Sequence, residues 1–278
     1  FILSLFLSEA NAQKVGLVLS GGGAKGCTHI GIIRALEEEG IPIDYITGTS
    51  IGAIIGSLYA MGYSPDEMEE LIASDEFASW HKSKIEEDYT YYFKHNNPTP
   101  EIISIKMGLS DSLKFEAHLL PYSIISPIQM NQAFLNLYSQ ATAACNGNFD
   151  RLFVPFRCVA SDVHNKKPYI HRSGDLGNAV RSSMTFPLVF KPISIDNKLL
   201  FDGGIYNNFP VDVMEDDFNP EYIIGSSVAS NPLAPDEKNI ILQLENMIMS
   251  RTDYSIKPGK GYLFDFHFEN IGLLDFQR

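Results

Sequence analysis

Cysteine and basic residues are both scarce in this chain of 278 residues. The three cysteines, Cys27, Cys145 and Cys158, are too few and too scattered for a disulfide framework or a zinc site, so we expect no metal. Lys and Arg number 21 against 34 Asp and Glu, which gives a formal net charge of −13. Because nucleic acids are bound through clustered Lys and Arg, this balance argues against a nucleic-acid partner. It also argues against adhesion to anionic lipid by charge alone.

Long hydrophobic runs are missing as well, since no apolar stretch approaches the roughly 18–20 residues of a membrane-spanning helix. The short apolar run at 1–7 is followed by Ala10-Asn11-Ala12, the small-x-small pattern that signal peptidase recognises. We therefore expect residues 1–12 to be the remnant of a secretory signal peptide. The protein is then expected in the periplasm, in the outer membrane or outside the cell. A short N-terminal strand is the alternative for the same residues.

The rest of the chain has the composition of a folded domain, with 45% hydrophobic and 20% charged residues. Apolar segments typical of buried strands alternate with segments of helical periodicity. Gly40 is expected to end the first helix, and a capping box at Ser64 is expected to begin a later one. Strands are predicted at 15–19, 42–47, 154–160, 198–201, 222–224 and 262–268. This alternation predicts the α/β class, a mainly parallel central sheet covered by helices. We expect one domain over 14–278, which further C-terminal domains could follow.

A G-x-S-x-G pentapeptide, Gly48-Thr49-Ser50-Ile51-Gly52, stands between a predicted strand and an apolar helix. This is the setting of a nucleophile elbow, in which the serine occupies a strained turn and its neighbours must be small. The following helix directs the partial positive charge of its N-terminus at the serine oxygen. The pattern therefore predicts Ser50 as a nucleophile, with Gly48 and Gly52 as the small residues of the elbow. A glycine-rich turn with an N-capping serine is the alternative.

A glycine loop lies between the first predicted strand and the first helix. Its residues are Gly21, Gly22, Gly23, Ala24, Lys25 and Gly26. Consecutive glycines expose backbone N–H groups that can stabilise a phosphate or an oxyanion. The loop also matches the dinucleotide pattern G-x-G-x-x-G, with Asp44 as the ribose partner, so by itself it leaves both ligands open. Lys25 either adds positive charge near an oxyanion or only holds the loop.

A third motif, Asp202-Gly203-Gly204, follows the strand predicted at 198–201. An aspartate at a strand tip, held against another backbone and partly desolvated, becomes more basic. A plain turn is the alternative. Taken together, the glycine loop, the serine elbow and this carboxylate supply the oxyanion donors, the nucleophile and the base of an acyl-transfer site.

At these three motifs the sequence resembles the patatin-like phospholipase family. The family patterns G-G-G-x-[K/R]-G, G-x-S-x-G and D-G-[G/A] match residues 21–26, 48–52 and 202–204 in order and at the usual spacing. Further matches lie at 160–163, 181–183 with Pro187, and 207–210. The resemblance covers nearly all of residues 14–278.

The resemblance implies a three-layer α/β/α fold and a Ser-Asp dyad without a catalytic histidine. Carried over by position, Ser50 is the nucleophile, Asp202 is the base, and the amides around Gly22 and Gly23 form the oxyanion hole. The implied reaction is hydrolysis of lipid esters through an acyl-enzyme, at a membrane or micelle surface and without a cofactor. The resemblance to exported bacterial members leaves open a C-terminal outer-membrane barrel in the full-length protein.

Other interpretations compete with this one. A catalytic triad would need a histidine, and His267 follows Ser50 and Asp202 in the order of α/β-hydrolases, although we expect it on the polar face of a strand. His29 is expected in the core. The segment between His164 and His171, which holds Lys166 and Lys167, is expected to be a solvated turn, with a contact to a lipid headgroup as the alternative. The aromatic residues within 77–93 could be a flap over the site or an irregular packed excursion, and we favour the packed form.

Two other classes of protein also remain open. A dinucleotide-binding oxidoreductase would use the glycine loop but leave the serine elbow and Asp202 without a role. A non-catalytic binding module would retain the fold and leave Ser50 unreactive.

Overall fold

The structure is a computed structural model. It describes residues 13–80, 104–106, 116–118, 128–187, 189–229 and 246–268, together with positions 231, 237, 243, 271, 275 and 276. The expected signal-peptide remnant at 1–12 lies outside the described residues, as does residue 81 onward of the aromatic segment.

The elements alternate along the chain much as the sequence predicts. The strands are β1 (Val15–Leu19), β2 (Tyr45–Thr49), β3 (Ser104–Lys106), β4 (Glu116–His118), β5 (Phe156–Asp162), β6 (Lys167–His171), β7 (Ile193–Ile195), β8 (Lys198–Asp202), β9 (Tyr222–Ser227) and β10 (Gly261–Asp265). The helices are α1 (Thr28–Glu38), α2 (Ile51–Ala60), α3 (Pro65–Ala73), α4 (Asp75–Trp80), α5 (Ile128–Ala144), α6 (Leu176–Ser183) and α7 (Val211–Asp217). Short 3-10 helices occupy Gly23–Cys27, Phe149–Arg151 and Gly203–Ile205.

The central sheet has the strand order β10-β9-β1-β2-β5-β8-β7, and β6 also pairs with β5. The pairs from β10 to β5 are parallel, whereas β6 and β8 pair with β5 in the antiparallel sense and β7 and β8 form an antiparallel hairpin. The predicted α/β class with a mainly parallel sheet is therefore confirmed. Strands β3 and β4 form a separate antiparallel pair.

Helices cover both faces of the sheet. Leu17 and Leu19 on β1 pack into the larger apolar cluster, which also holds buried residues of α1, α2, α3 and α5. Val18 points to the opposite face and joins a smaller cluster with Val211 and Met214 of α7. Because successive side chains of a strand point to opposite faces, these two clusters lie on the two sides of the sheet. The fold is thus a helix layer, a sheet and a second helical side.

The register along β5 determines where the chemistry can be placed. Strand β2 pairs with β5 up to Thr49, which lies opposite Val159. Strand β8 then pairs from the next residue, with Asp202 opposite Ala160. Since β6 overlaps both of these stretches and occupies the other edge of β5, β2 and β8 follow each other along one edge. The residue after β2 and the last residue of β8 therefore meet.

Several local predictions are confirmed. Gly40 follows the C-cap of α1 with φ 66°, and Ser64 and Glu67 form the reciprocal capping box of α3, with Pro65 as its first residue. Asp196 and Asn197 form the two-residue turn between β7 and β8, both with positive φ (51° and 58°), as type I′ hairpins require.

Other local predictions were wrong. Strand β10 ends at Asp265, three residues before the predicted end, so His267 does not lie on a strand. The segment to His171 is not a solvated turn throughout, because residues 167–171 form β6 and the His171 side chain is buried. Helix α7 was not predicted. Phe77 and Trp80 are packed in the core, as the favoured interpretation of their segment requires.

Candidate active site

Ser50 occupies a strained turn between β2 and α2. Its backbone has φ 55° and ψ −121°, a region that residues with a side chain rarely adopt. The Ser50 N–H donates to Ser183 Oγ at 3.0 Å, and the Ser183 hydroxyl in turn donates to the carbonyl of Val159 at 2.6 Å. The Ser50 carbonyl accepts from the N–H groups of Ala53 and Ile54, which begins α2 directly after the serine. The predicted nucleophile elbow therefore has the expected geometry.

The glycines around Ser50 are required by close contact between backbones. A Cβ on Gly52 would lie 2.5 Å from the carbonyl oxygen of Leu19 on β1, and a Cβ on Gly48 would collide with the carbonyl of Gly52. The turn can therefore fold only if both positions lack a side chain. This explains in physical terms why the G-x-S-x-G pattern needs glycine at its two ends.

Asp202 ends β8 with its carboxylate facing Ser50. The Ser50 hydroxyl donates to Asp202 Oδ2 at 2.8 Å, and the Gly204 N–H donates to the other carboxylate oxygen at 2.8 Å. Gly203 fits because a Cβ there would collide with the carbonyl oxygen of Val159. The sequence placed these two residues 152 positions apart, and the shared edge of β5 brings them into contact.

The environment of Asp202 makes it a stronger base than an ordinary aspartate. Asp202 is 6% exposed, whereas Ser50 is half-buried and can be reached from a cavity. Burial raises the pKa of Asp202 to about 6, against the opposing effect of the hydrogen bonds from the Gly204 N–H and the Ser50 hydroxyl. A carboxylate with such a pKa is ionised at neutral pH and still accepts a proton readily.

The glycine loop passes beside Ser50. A Cβ on Gly21 would lie 3.1 Å from the Cβ of Ser50, and Gly23 lines the same cavity as Ser50. The Gly21 N–H is occupied, since it donates to the carbonyl of Asn208 at 3.1 Å. Within the described part of the chain, the N–H groups of Gly22 and Gly23 have no such acceptor. Those two amides are therefore the ones that a ligand beside Ser50 could use.

The remaining loop residues have other positions. Ala24, Lys25 and Gly26 lie in the short 3-10 helix that leads to α1, and Gly26 packs closely against the side chain of Ile51. Lys25 is half-buried and lines a second cavity with Cys27 and not the cavity of Ser50. The structure therefore favours a role for Lys25 in the loop over one as a charge beside the oxyanion.

The cavity in front of Ser50 is almost wholly apolar. Its empty volume, counted with its open mouth, is about 630 Å³. Ser50 and Asp202 are among the residues that line it. The other described residues that line it, apart from Gly23, are apolar: Ile51, Ile54, Phe77, Trp80, Met130, Met184, Phe186, Val189, Phe190 and Phe276. A hydrocarbon chain fits such a lining, and a charged ligand would lose its hydration there without recovering it.

The segment after the third motif ties the three motifs together. The carbonyl of Asn207 accepts from the hydroxyl of Thr49 at 2.9 Å, next to Ser50, and the carbonyl of Asn208 accepts from the Gly21 N–H. The Asn208 side chain touches both Gly21 and Gly204 and donates to the hydroxyl of Tyr254 at 2.8 Å. From the sequence, residues 207–210 were a motif match without a predicted role. Ser183 was likewise only part of a matched motif.

Two competing sites predicted from the sequence are not assembled. Asp44 precedes β2, and its carboxylate accepts from the N–H of Val15 at the start of β1. It therefore lies at the opposite end of the parallel strands from the glycine loop, where it could not hold a ribose. The His267 side chain is 74% exposed and lies 3.7 Å from Asp265, while Ser50 pairs with Asp202.

Two absences hold for the described residues. There, His, Cys, Asp and Glu side chains do not form a group of three or more that could bind a metal. In the same residues, every helix is too short or too polar to cross a bilayer.

The fold and the site together define a class of α/β proteins, those with a serine on a strand–helix turn that contacts a buried carboxylate. The model of the family described as patatin-like phospholipase matches residues 17–214. This match covers most of the chain, and the chain belongs to the patatin-like phospholipase family.

Two similar proteins are much longer than this chain. The patatin-like phospholipase domain-containing protein ZK370.4 of Caenorhabditis elegans is 33% identical over 204 residues, which are 73% of this chain and 13% of that protein. Lysophospholipase NTE1 of Mycosarcoma maydis is 31% identical over 204 residues, 73% of this chain and 9% of that protein. The chain thus spans a small part of the length of these relatives. Among solved structures, VipD from Legionella pneumophila is 16% identical with a TM-score of 0.45, over 81% of this chain and 51% of that one.

Proposed function

We propose that this chain is a serine lipid acyl hydrolase that cleaves carboxylic esters of phospholipids or related lipids. The observation that carries the proposal is the 2.8 Å hydrogen bond from the Ser50 hydroxyl to Asp202 Oδ2 in the lining of an apolar cavity. Membership of the patatin-like phospholipase family supports the same reaction class.

The first half of the reaction forms an acyl-enzyme. Asp202 takes the proton of the Ser50 hydroxyl while Ser50 Oγ bonds to the carbonyl carbon of the ester. When the tetrahedral intermediate collapses, the bond to the alcohol oxygen breaks and the protonated Asp202 returns the proton to that alcohol. In the second half, Asp202 takes a proton from water while the water oxygen bonds to the acyl carbon. The bond from that carbon to Ser50 Oγ then breaks, Asp202 returns the proton to Ser50 Oγ, and the fatty acid is released.

The glycine loop stabilises the negative charge that develops on the ester oxygen. The N–H groups of Gly22 and Gly23 are the donors, since the Gly21 N–H is occupied by Asn208. Removal of one such donor costs roughly 3–4 kcal/mol of activation free energy in other enzymes, so the loop accounts for a large share of catalysis. No histidine is needed, because the pKa of Asp202, raised to about 6 by burial, lets the carboxylate act as base directly.

The lining of the cavity supports a lipid substrate. An acyl chain would lie against Ile54, Phe77, Met130 and Phe190, with its ester at Ser50. The relative from Mycosarcoma maydis is named a lysophospholipase, so lysophosphatidylcholine is the first substrate to test beside a diacyl phospholipid and a p-nitrophenyl ester. Selectivity among these depends on the shape of the cavity, which the Ser-Asp pair does not determine.

The test is fluorophosphonate labelling read by intact mass, with wild type beside Ser50→Ala and Asp202→Asn. We expect one adduct on wild type, none on Ser50→Ala, and strongly slowed labelling of Asp202→Asn. Ser57→Ala is the matched control, because Ser57 is a fully buried serine on α2 whose hydroxyl bonds to Ile54 and Tyr138. It should be labelled like wild type.

Two outcomes would contradict the proposal. An adduct that persists in Ser50→Ala would place the reactive group elsewhere. A folded wild-type protein that takes no label and hydrolyses none of the three esters would instead favour the non-catalytic binding module.

A further inference from the structure

His29 is a fully buried histidine that the proposed reaction does not use. It lies in the first turn of α1, directly after the glycine loop. Both ring nitrogens have partners: Nδ1 lies 2.8 Å from Ser226 Oγ, and Nε2 lies 2.9 Å from the carbonyl oxygen of Ser20. The ring therefore bridges the end of β9 and the residue that joins β1 to the loop.

The partners determine the tautomer of His29. A carbonyl oxygen only accepts, so Nε2 must carry a hydrogen and donate it to Ser20. Burial lowers the pKa of His29 to about 4, which leaves the ring neutral at pH 7. In a neutral ring with hydrogen on Nε2, Nδ1 accepts from the Ser226 hydroxyl. The imidazole is then a fixed neutral link and takes no part in proton transfer.

Ser20 passes this constraint to the glycine loop. Its hydroxyl donates to the carbonyl of Gly21 at 2.9 Å and accepts from the N–H of Val228 at 3.0 Å. The Gly21 carbonyl and the Gly22 N–H belong to one planar peptide unit, so holding the first orients the second. A hydrogen bond accepted by a peptide carbonyl also polarises the unit and strengthens its N–H as a donor.

We propose that Ser20 and His29 are positioning residues for the glycine-loop oxyanion hole. The Ser20 hydroxyl holds the Gly21–Gly22 peptide, and the His29 Nε2–H holds the Ser20–Gly21 peptide before it. The inference rests on the proposed function of the loop, and it adds two residues outside the three motifs. Val228 also packs against the loop at Gly22, since a Cβ on Gly22 would lie 2.6 Å from Val228 Cγ2.

The first measurement is steady-state hydrolysis of p-nitrophenyl butyrate by Ser20→Ala. Loss of a transition-state interaction lowers kcat and kcat/KM together, so we expect kcat to fall about 10-fold or more, toward the roughly 100-fold of a lost oxyanion donor, with KM within about 2-fold. The matched control is again Ser57→Ala, which removes a buried hydroxyl of similar bonding and should keep kcat within about 2-fold. A Ser20→Ala enzyme that behaves like Ser57→Ala, or that changes KM alone, overturns the proposal.

Two His29 variants separate hydrogen bonding from packing. His29→Gln retains an N–H donor that can reach the Ser20 carbonyl, whereas His29→Leu fills the space without one. We expect His29→Gln to keep most of the activity and His29→Leu to lose kcat to the same extent as Ser20→Ala. Equal losses in both variants would overturn the hydrogen-bonding role of His29. If His29→Leu does not fold, the position of the hydrogen on the His29 ring, measured as described next, tests its role, because Ser20→Ala leaves the Ser20 carbonyl in place.

A second measurement does not depend on turnover. In ¹⁵N NMR spectra of the Ser50→Ala protein at pH 7, the His29 ring should carry its hydrogen on Nε2. The double variant Ser20→Ala/Ser50→Ala should show a changed chemical shift for the Gly22 amide. A hydrogen on Nδ1 or an unmoved Gly22 amide would overturn the proposal. Should wild type lack Ser50-dependent turnover, the proposed function fails, and these spectra alone decide whether Ser20 and His29 hold the loop.

Discussion

The substitution Asp202→Asn tests whether burial of the ionised Asp202 carboxylate lowers the stability of the folded protein. Asp202 is 6% exposed, and burial raises its pKa from an ordinary 3.8 to about 6. A group whose pKa is raised in the folded state binds protons more tightly there than in the unfolded chain. Unfolding therefore becomes easier as the pH rises from about 4 to about 6, and the whole cost is present above pH 6. An asparagine does not ionise and avoids this cost.

The size of the effect follows from the shift of the pKa. A difference of about 2 pKa units corresponds to about 3 kcal/mol between the ionised and protonated forms. Part of this cost is already present at about pH 4.5, since the unfolded carboxyl is mostly ionised there. The destabilisation by ionised Asp202 is therefore larger at pH 7.5 than at pH 4.5 by about 2 kcal/mol. Any effect of the amide that does not depend on pH cancels in the comparison of the two conditions.

Thermal unfolding of both proteins at the two pH values measures the difference. At roughly 2–4 °C per kcal/mol, the Tm advantage of Asp202→Asn over wild type should be larger at pH 7.5 than at pH 4.5 by about 4–8 °C. Asp253→Asn is the control, because hydrogen bonds from Ser255 lower the pKa of this exposed aspartate and it stays ionised in both states. A Tm difference that is the same at both pH values would refute the raised pKa.

Three further predictions concern turnover. The pH profile of kcat/KM for p-nitrophenyl butyrate should rise about tenfold per pH unit up to the Asp202 pKa of about 6 and then level off; a flat profile between pH 5 and 8 would contradict a role for this base. Gly22→Val should lower kcat by about 100-fold or more, because a Cβ there would lie 2.6 Å from Val228 Cγ2 and displace the proposed donor; near-normal turnover would remove Gly22 from the oxyanion hole. Hydrolysis of phosphatidylcholine liposomes should change less than about twofold when NaCl rises from about 0.05 to 0.5 M, since a chain of net charge −13 should contact lipid through apolar side chains; a steep loss with salt would indicate binding through charge.

Local backbone geometry could be predicted from the sequence where it solves a local constraint. Gly48 and Gly52 are required because a side chain at either position would collide with a neighbouring backbone. The pentapeptide therefore predicts the tight strand–helix turn at Ser50. The capping box at Ser64 and the glycine after α1, Gly40, have a similar origin, because the backbone N–H and C=O groups at a helix end lack partners within the helix. Such features are visible in a window of a few residues, and the structure confirms them.

The features that the sequence did not reveal depend on distant parts of the chain. Ser183 supports the Ser50 backbone across 133 residues, and nothing near either position indicates that pairing. The polar stretch before His171 suggested a solvated turn, because charged residues usually face water. That rule does not reveal that residues 167–171 pair with the distant strand β5 and that the His171 side chain is buried. Asn208 is a similar case, because nothing near it in the sequence indicates that its side chain packs against Gly21 and Gly204.

The meeting of Ser50 with Asp202 has a simple origin in the sheet. A parallel strand and an antiparallel strand share one edge of β5, with β2 ending opposite Val159 and β8 ending opposite Ala160. Because the two strands run in opposite directions, their C-terminal ends point toward each other, and each delivers its functional residue at the junction. A slip of one residue in β8 would turn Asp202 to the other face of the sheet. The position of Asp202 beside Ser50 therefore depends on the register of β8 against β5, which pairs Asp202 with Ala160.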